Sequence, residues 1–147
     1  MFSSIVVGTD GSETAQKAVR EAVELARSVG ASLSIVSAYA PVSNQRIKEE
    51  QREAPEDMQW MINAREDVDA TLRDAQEKYE DSGVEIETFA RQGDPADAIL
   101  DVAEENNADL IIVGNKGMSG AKRFLLGSVP NKVSHHAPCS VMIIRTT

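Results

Sequence analysis

Cysteine occurs once, at Cys139, so the chain cannot close an internal disulfide and a reducing compartment is the expected setting. Aromatic residues make up only 4% of the sequence, and no apolar run approaches the ~20 residues of a membrane span. The opening "MFSSIVVGTDGS" lacks the basic flank and long apolar stretch of a signal peptide, so a cytoplasmic location is expected. Positive charge is scarce as well: 15 Lys and Arg stand against 24 Asp and Glu, a net charge of -9. That balance argues against nucleic acid or an anionic membrane as a general partner. It leaves room for a local basic pocket, because a phosphate feels its nearest charges most strongly. The two histidines, His135 and His136, are adjacent and would point in different directions on a helix, which makes a poor metal pair. Both read as helix-end residues beside the carbonyl dipole.

What the sequence does contain is a regular exchange of apolar runs and amphipathic segments. "SIVVG" (4–8) and "DLIIVG" (109–114) read as buried strands, "SLSIVSAYA" (32–40) and "SVMIIR" (140–145) as further strands, and "VEIETFA" (84–90) as an alternating one. Between them lie helices. After "GTDGS", Ser12 predicts an N-cap and Gly30 a C-terminal stop, with Ala15, Ala18, Val19, Ala22, Val23 and Ala26 on one face. Helical spacing from Asp57 to about Asp81 places Met58, Met61, Ala64, Val68, Leu72, Ala75 and Tyr79 together, with Trp60 off that stripe. Residues 42–57 read as loop. Asp94 with Pro95 opens a helix over 94–108, and Ser128 caps one over roughly 129–136.

At 147 residues the chain is expected to form one domain, 1–147. Five strands alternating with four helices predict an α/β fold, an open doubly wound parallel sheet with helices on both faces. In such sheets ligands sit beyond the carboxyl ends of the strands, where strand order reverses. The loops "GTDGS" and "GNKGMSGAKRFLLGS" should meet there.

The second loop holds Gly114, Gly117, Gly120 and Gly127, four of the nine glycines in the chain. A glycine-rich loop leading into a helix can cradle phosphate on backbone N–H groups, with Lys116 and Arg123 as countercharge. The Ser128 hydroxyl can cap the helix or touch a phosphate oxygen. Glycines alone are matched equally well by a flexible connection that binds nothing.

The spacing Gly114-x2-Gly117-x9-Gly127-Ser128, the following Val129 and "HAPCSVMII", and the opening "IVVGTDGSETAQKAV" resemble the nucleotide-binding branch of the universal stress protein family. The resemblance covers essentially the whole chain. It implies strand order 3-2-1-4-5, a homodimer formed through the last strand (140–145), and an adenine nucleotide as ligand: ATP, AMP or cyclic AMP, with magnesium accompanying ATP. By position it places Asp10 beside base and ribose, the Ala38 backbone at the adenine edge, and Gly114, Gly117, Gly127 and Ser128 around ribose and phosphates. The full candidate set is Thr9, Asp10, Ala38, Gly114, Asn115, Lys116, Gly117, Arg123, Gly127, Ser128 and Val129.

One residue departs from the pattern. Where ATP-binding relatives often carry Ser or Thr after "GSV", this chain has Pro130, which supplies neither a hydroxyl nor an N–H.

No nucleophile, base and oxyanion hole assemble in the sequence, and Cys139 reads as a small buried side chain without a base. The glycine loop also lacks the Gly-Lys-Ser/Thr ending of a P-loop. The chain is therefore expected to bind a nucleotide as a sensor or regulator rather than to turn it over. The rival readings are a weak ATPase or phosphotransferase using Asp10 with magnesium, and a nucleotide-free dimeric interaction module.

Overall fold

Short β-branched runs separated by capped helices leave the chain few arrangements, and the one adopted is a five-stranded sheet in the order β3-β2-β1-β4-β5. The computed structural model describes residues 1–40, 64–115 and 126–146. In chain order the elements are β1 (Ser4–Gly8), α1 (Glu13–Val29), β2 (Ser32–Tyr39), α2 (Arg65–Lys78), β3 (Ile86–Gln92), α3 (Pro95–Glu105), β4 (Leu110–Gly114), α4 (Ser128–His136) and β5 (Ser140–Ile144). Every strand pairing is parallel, with Val6 of β1 opposite Ser34 of β2 on one side and Ile111 of β4 on the other. The doubly wound expectation is met.

Alternate strand residues divide between two cores. Ile5, Val7, Leu33 and Ile35 pack under α1 and α2, against Val19, Val23, Val68 and Leu72. Val6, Val36, Ile111 and Val113 pack under α3 and α4, against Ile99, Val102, Val129 and Val133. Ile5, Ile35, Ile111 and Ile112 are almost wholly shielded from water. Burying a side chain of that size stabilises by about 1.5–3 kcal/mol.

The caps behave as their chemistry dictates at α1 and α3. Ser12 accepts from the Ala15 N–H at 3.2 Å, and Gly30 ends α1 in the left-handed region at φ 73°. Asp94 accepts from the Asp97 N–H at 3.0 Å with Pro95 at the first helical position. Several expected boundaries need correction. The helix from Asp94 stops at Glu105 rather than running to 108, because Asn107 turns left-handed at φ 50°. The third strand spans 86–92 and not 84–90, its start following the positive-φ turn at Gly83. At α4 the N-cap position belongs to Gly127, and Ser128 is the first helical residue.

Val68 and Leu72 of α2 are buried while Ala75 and Tyr79 pack partly against the same core, as their spacing predicts. The expected loop over 42–57, Trp60 and positions 57–63 of the expected second helix fall outside the described residues; the helix begins at Arg65, after an extended Ala64, and ends at Lys78 rather than near Asp81. Cys139 is half-buried rather than buried, and burial, with a smaller effect from the Asp109 charge, raises its thiol above the usual value. Among the described residues no helix is long and apolar enough to cross a membrane.

Asp109 ties the start of β1 to β4. Its carboxylate accepts from the Ser3 N–H at 2.8 Å and the Ser4 N–H at 3.0 Å. These bonds, the one from Ser3 foremost, hold its pKa below the usual aspartate value. A depressed carboxylate pKa stabilises the fold fully above the unfolded value, about 3.9, and the contribution is lost as pH falls through the folded value. Asp109→Asn should therefore lower the melting temperature modestly at pH 7, with the gap from wild type narrowing in a thermal-melt series as the pH falls below the unfolded value, about 3.9.

Candidate nucleotide site

The strand order reverses between β1 and β4, and the turns that leave these two strands open a cleft at their carboxyl ends. The turn after β1 is fixed by its own side chains. Thr9, 3% exposed, accepts from the Gly11 N–H at 3.1 Å, and Asp10 accepts from the Ser12 N–H at 2.9 Å. Gly11 is required there. Its φ is +81°, and a Cβ would lie 2.5 Å from Thr71 Oγ1 on α2.

Thr9 and Asp10 line the cleft from one side, Gly114 from the floor, and Val129 and Pro130 from the first turn of α4. Of the predicted set, four residues thus share one cleft: Thr9, Asp10, Gly114 and Val129. Ala38 is buried in β2, and Asn115, Gly127 and Ser128 flank the cleft's elements without lining it. Lys116, Gly117 and Arg123 lie outside the described residues. Thr14, Ile99 and Thr146 also line the cleft and were not singled out from the sequence. Thr146 carried no readable signal, since it is joined to the site only by folding across 31 positions.

The chemistry of the cleft is uneven. Asp10 is the only carboxylate among its described lining residues, and none of those residues is a cation. A carboxylate accepts hydrogen bonds and repels phosphate, so the Asp10 end suits a hydroxyl-bearing group such as ribose. The α4 end is the place for an anion, since a helix start presents N–H groups and a positive dipole end. Pro130 removes one donor from that turn, and the Asn131 N–H is already bonded to the Gly127 carbonyl at 3.1 Å. Among the described residues no group of three His, Cys, Asp or Glu could hold a metal ion.

The described walls leave a space of about 30 Å³, water-sized rather than ligand-sized. A roomier cavity of about 280 Å³ lies on the other face of the sheet, between α1 and α2. It shares Thr9 with the cleft but none of the other predicted residues. The cleft at the strand reversal is the one that unites the chemistry.

The cleft lies at the position where doubly wound α/β sheets carry their ligands. The chain belongs to the universal stress protein family, whose model matches residues 1–145. It is 37% identical over 149 aligned residues to universal stress protein Rv1636 of Mycobacterium tuberculosis (strain ATCC 25618 / H37Rv), covering 99% of this chain and 98% of that one. Among solved structures it is similar to a universal stress protein in complex with cAMP, at 33% identity and a TM-score of 0.73 over 99% of this chain and 98% of the other. It is also similar to the universal stress protein from Archaeoglobus fulgidus in complex with dAMP, at 25% identity and a TM-score of 0.68, with 98% of both chains covered.

Proposed function

We propose that this protein binds an adenine nucleotide at the β1–β4 cleft and acts as a sensor or regulator without turning the ligand over. The observation that carries the reading is the meeting of Thr9, Asp10, Gly114 and Val129 where the strand order reverses. The cAMP and dAMP complexes of similar proteins support adenine as the base. In this reading Asp10 accepts from ribose hydroxyls, the backbone at Ala38 meets the adenine edge, and the glycine loop with the α4 start takes the phosphate. Lys116 and Arg123 supply countercharge, with Asn115, Gly117, Gly127 and Ser128 completing the contacts. Magnesium would enter with ATP, held by the nucleotide's own phosphate oxygens.

The working form is a cytoplasmic homodimer. β5 forms an edge of the sheet, and its Met142 and Ile143 are 36% and 37% exposed. Antiparallel pairing with a second copy would satisfy the open backbone groups and cover those side chains.

The direct test is mass spectrometry of ligand released from freshly purified, denatured protein, followed by calorimetric titration with ATP, AMP and cyclic AMP. Recovery of an adenine nucleotide, or micromolar binding of one, is the expected result. Protein that carries none and binds none would leave the interaction-module reading in its place.

The missing donor at Pro130 sets a preference among these ligands. A hydrogen bond to a charged group contributes about 1.5–3 kcal/mol, a tenfold to hundredfold effect on affinity. Pro130→Ser should strengthen ATP binding by roughly that factor and leave AMP and cyclic AMP within about twofold. Melting temperatures measured alongside separate this from a change in the helix start. A wild-type protein that already prefers ATP more than about tenfold would show that other donors hold the terminal phosphate.

A further inference from the structure

The parallel ladder between β4 and β5 ends with Gly114 opposite Ile144, yet the bonding between the two chain segments continues. The Asn115 N–H donates to the Ile144 carbonyl at 3.1 Å. Two residues further on, the Thr146 N–H donates to Asn115 Oδ1 at 2.8 Å, and Thr146 Oγ1 donates to the same oxygen at 3.2 Å. A backbone N–H can only donate, so the amide orientation of Asn115 is settled by its partner. Both residues are buried, Asn115 to 7% exposure and Thr146 to 2%.

The Asn115 side chain thus takes the part of the next carbonyl in the ladder. It fixes the backbone at Asn115, just beyond the end of β4. Thr146 is held from the other side as well, its carbonyl accepting from Lys17 Nζ of α1 at 3.4 Å. Its own side chain lies over Gly114, where a Cβ would stand 3.1 Å from Thr146 Cγ2, and it lines the cleft beside Asp10.

We infer that Thr146 is a positioning residue for the ligand cleft, acting through Asn115 to hold the carboxyl end of β4 against the segment after β5. The inference rests on the reading of the cleft as a nucleotide site. It assigns a binding role to the segment after β5, far in sequence from both loops that define the cleft.

The test is calorimetric titration with cyclic AMP and AMP of wild type, Thr146→Val, Thr146→Ser, Asn115→Ala and the Thr146→Val/Asn115→Ala pair, each checked by circular dichroism. Thr146→Val keeps the backbone donor and the volume but loses the hydroxyl, and should weaken binding about fivefold, the effect of one hydrogen bond. Thr146→Ser should restore most of that loss. The double variant should bind no more weakly than Asn115→Ala alone, because a residue acting through Asn115 has no effect once Asn115 is truncated. Should Thr146→Val fail to fold, Thr146→Ala carries the same comparison. Wild-type affinity in the folded Thr146 variant overturns the inference, and additive losses in the double variant assign Thr146 a separate action of its own and overturn it too. A wild type that binds neither nucleotide overturns the nucleotide reading itself, which no comparison among variants can imitate.

Discussion

Gly114→Val should abolish ligand binding, weakening it at least about a hundredfold, while leaving a folded protein. Gly114 ends β4 directly beneath Thr146, and a single added carbon would already lie 3.1 Å from Thr146 Cγ2 and 3.4 Å from its Oγ1. Valine adds two more. With Thr146 only 2% exposed, the crowding cannot be relieved into solvent, so its side chain must give way, which loosens the bond from Thr146 Oγ1 to Asn115. Overpacking of this kind costs about 1–3 kcal/mol, and a chain of this size loses roughly 2–4 °C of melting temperature per kcal/mol. Calorimetry beside thermal melts separates the two effects. Undiminished affinity in a folded variant would remove Gly114 from the site.

Ile143→Lys should convert the proposed dimer to monomers at micromolar concentration. The side chain stands on an edge strand and is 37% exposed in the single chain, so pairing would cover apolar surface that otherwise faces water. A twofold interface feels each substitution twice. Losing about 1.5 kcal/mol per copy weakens association by roughly a hundredfold, before the repulsion of two ammonium groups is added. Sedimentation velocity reads the outcome. A wild type that is monomeric at the same concentration would refute the interface. The other edge strand, β3, offers no equivalent. Its exposed positions Glu87 and Gln92 are polar.

The fold was legible wherever one residue's chemistry dictates a local event. Ser12 and Asp94 cap their helices because a short side-chain oxygen can reach an N–H two or three residues on, and Gly30 stops α1 because glycine enters the left-handed region cheaply. Strand runs such as "SIVVG" were plain because their central residues, Ile5, Val6 and Val7, are apolar and buried on both faces of the sheet. Reading failed where two residues compete for one role. Gly127 took the cap position expected of Ser128, and Asn107 ended a helix whose apolar pattern gave no warning.

The strand order came from family resemblance, since apolar runs do not say which strands are neighbours. The cleft was half legible. Motif residues in the two loops could be named in advance, whereas Thr146 joins the site through a hydrogen bond that no spacing rule records.

The central place of β1 has a consequence for a chain emerging from the ribosome. Once residues up to Gln92 are free, β1, β2 and β3 can pair, and α1 and α2 can cover one face. The opposite face, with Val6, Val36 and Ala38, must wait for α3 and α4, and the open side of β1 must wait for Leu110 to Ile112. The open side of β1 therefore stays unpaired during the synthesis of about twenty further residues, and the apolar face is fully covered only about forty-four residues on, when α4 is complete, a delay of several seconds at ordinary elongation rates. That interval is when this fold is most exposed to aggregation; closure of β4 against β1 removes the open strand, and docking of α4 ends it.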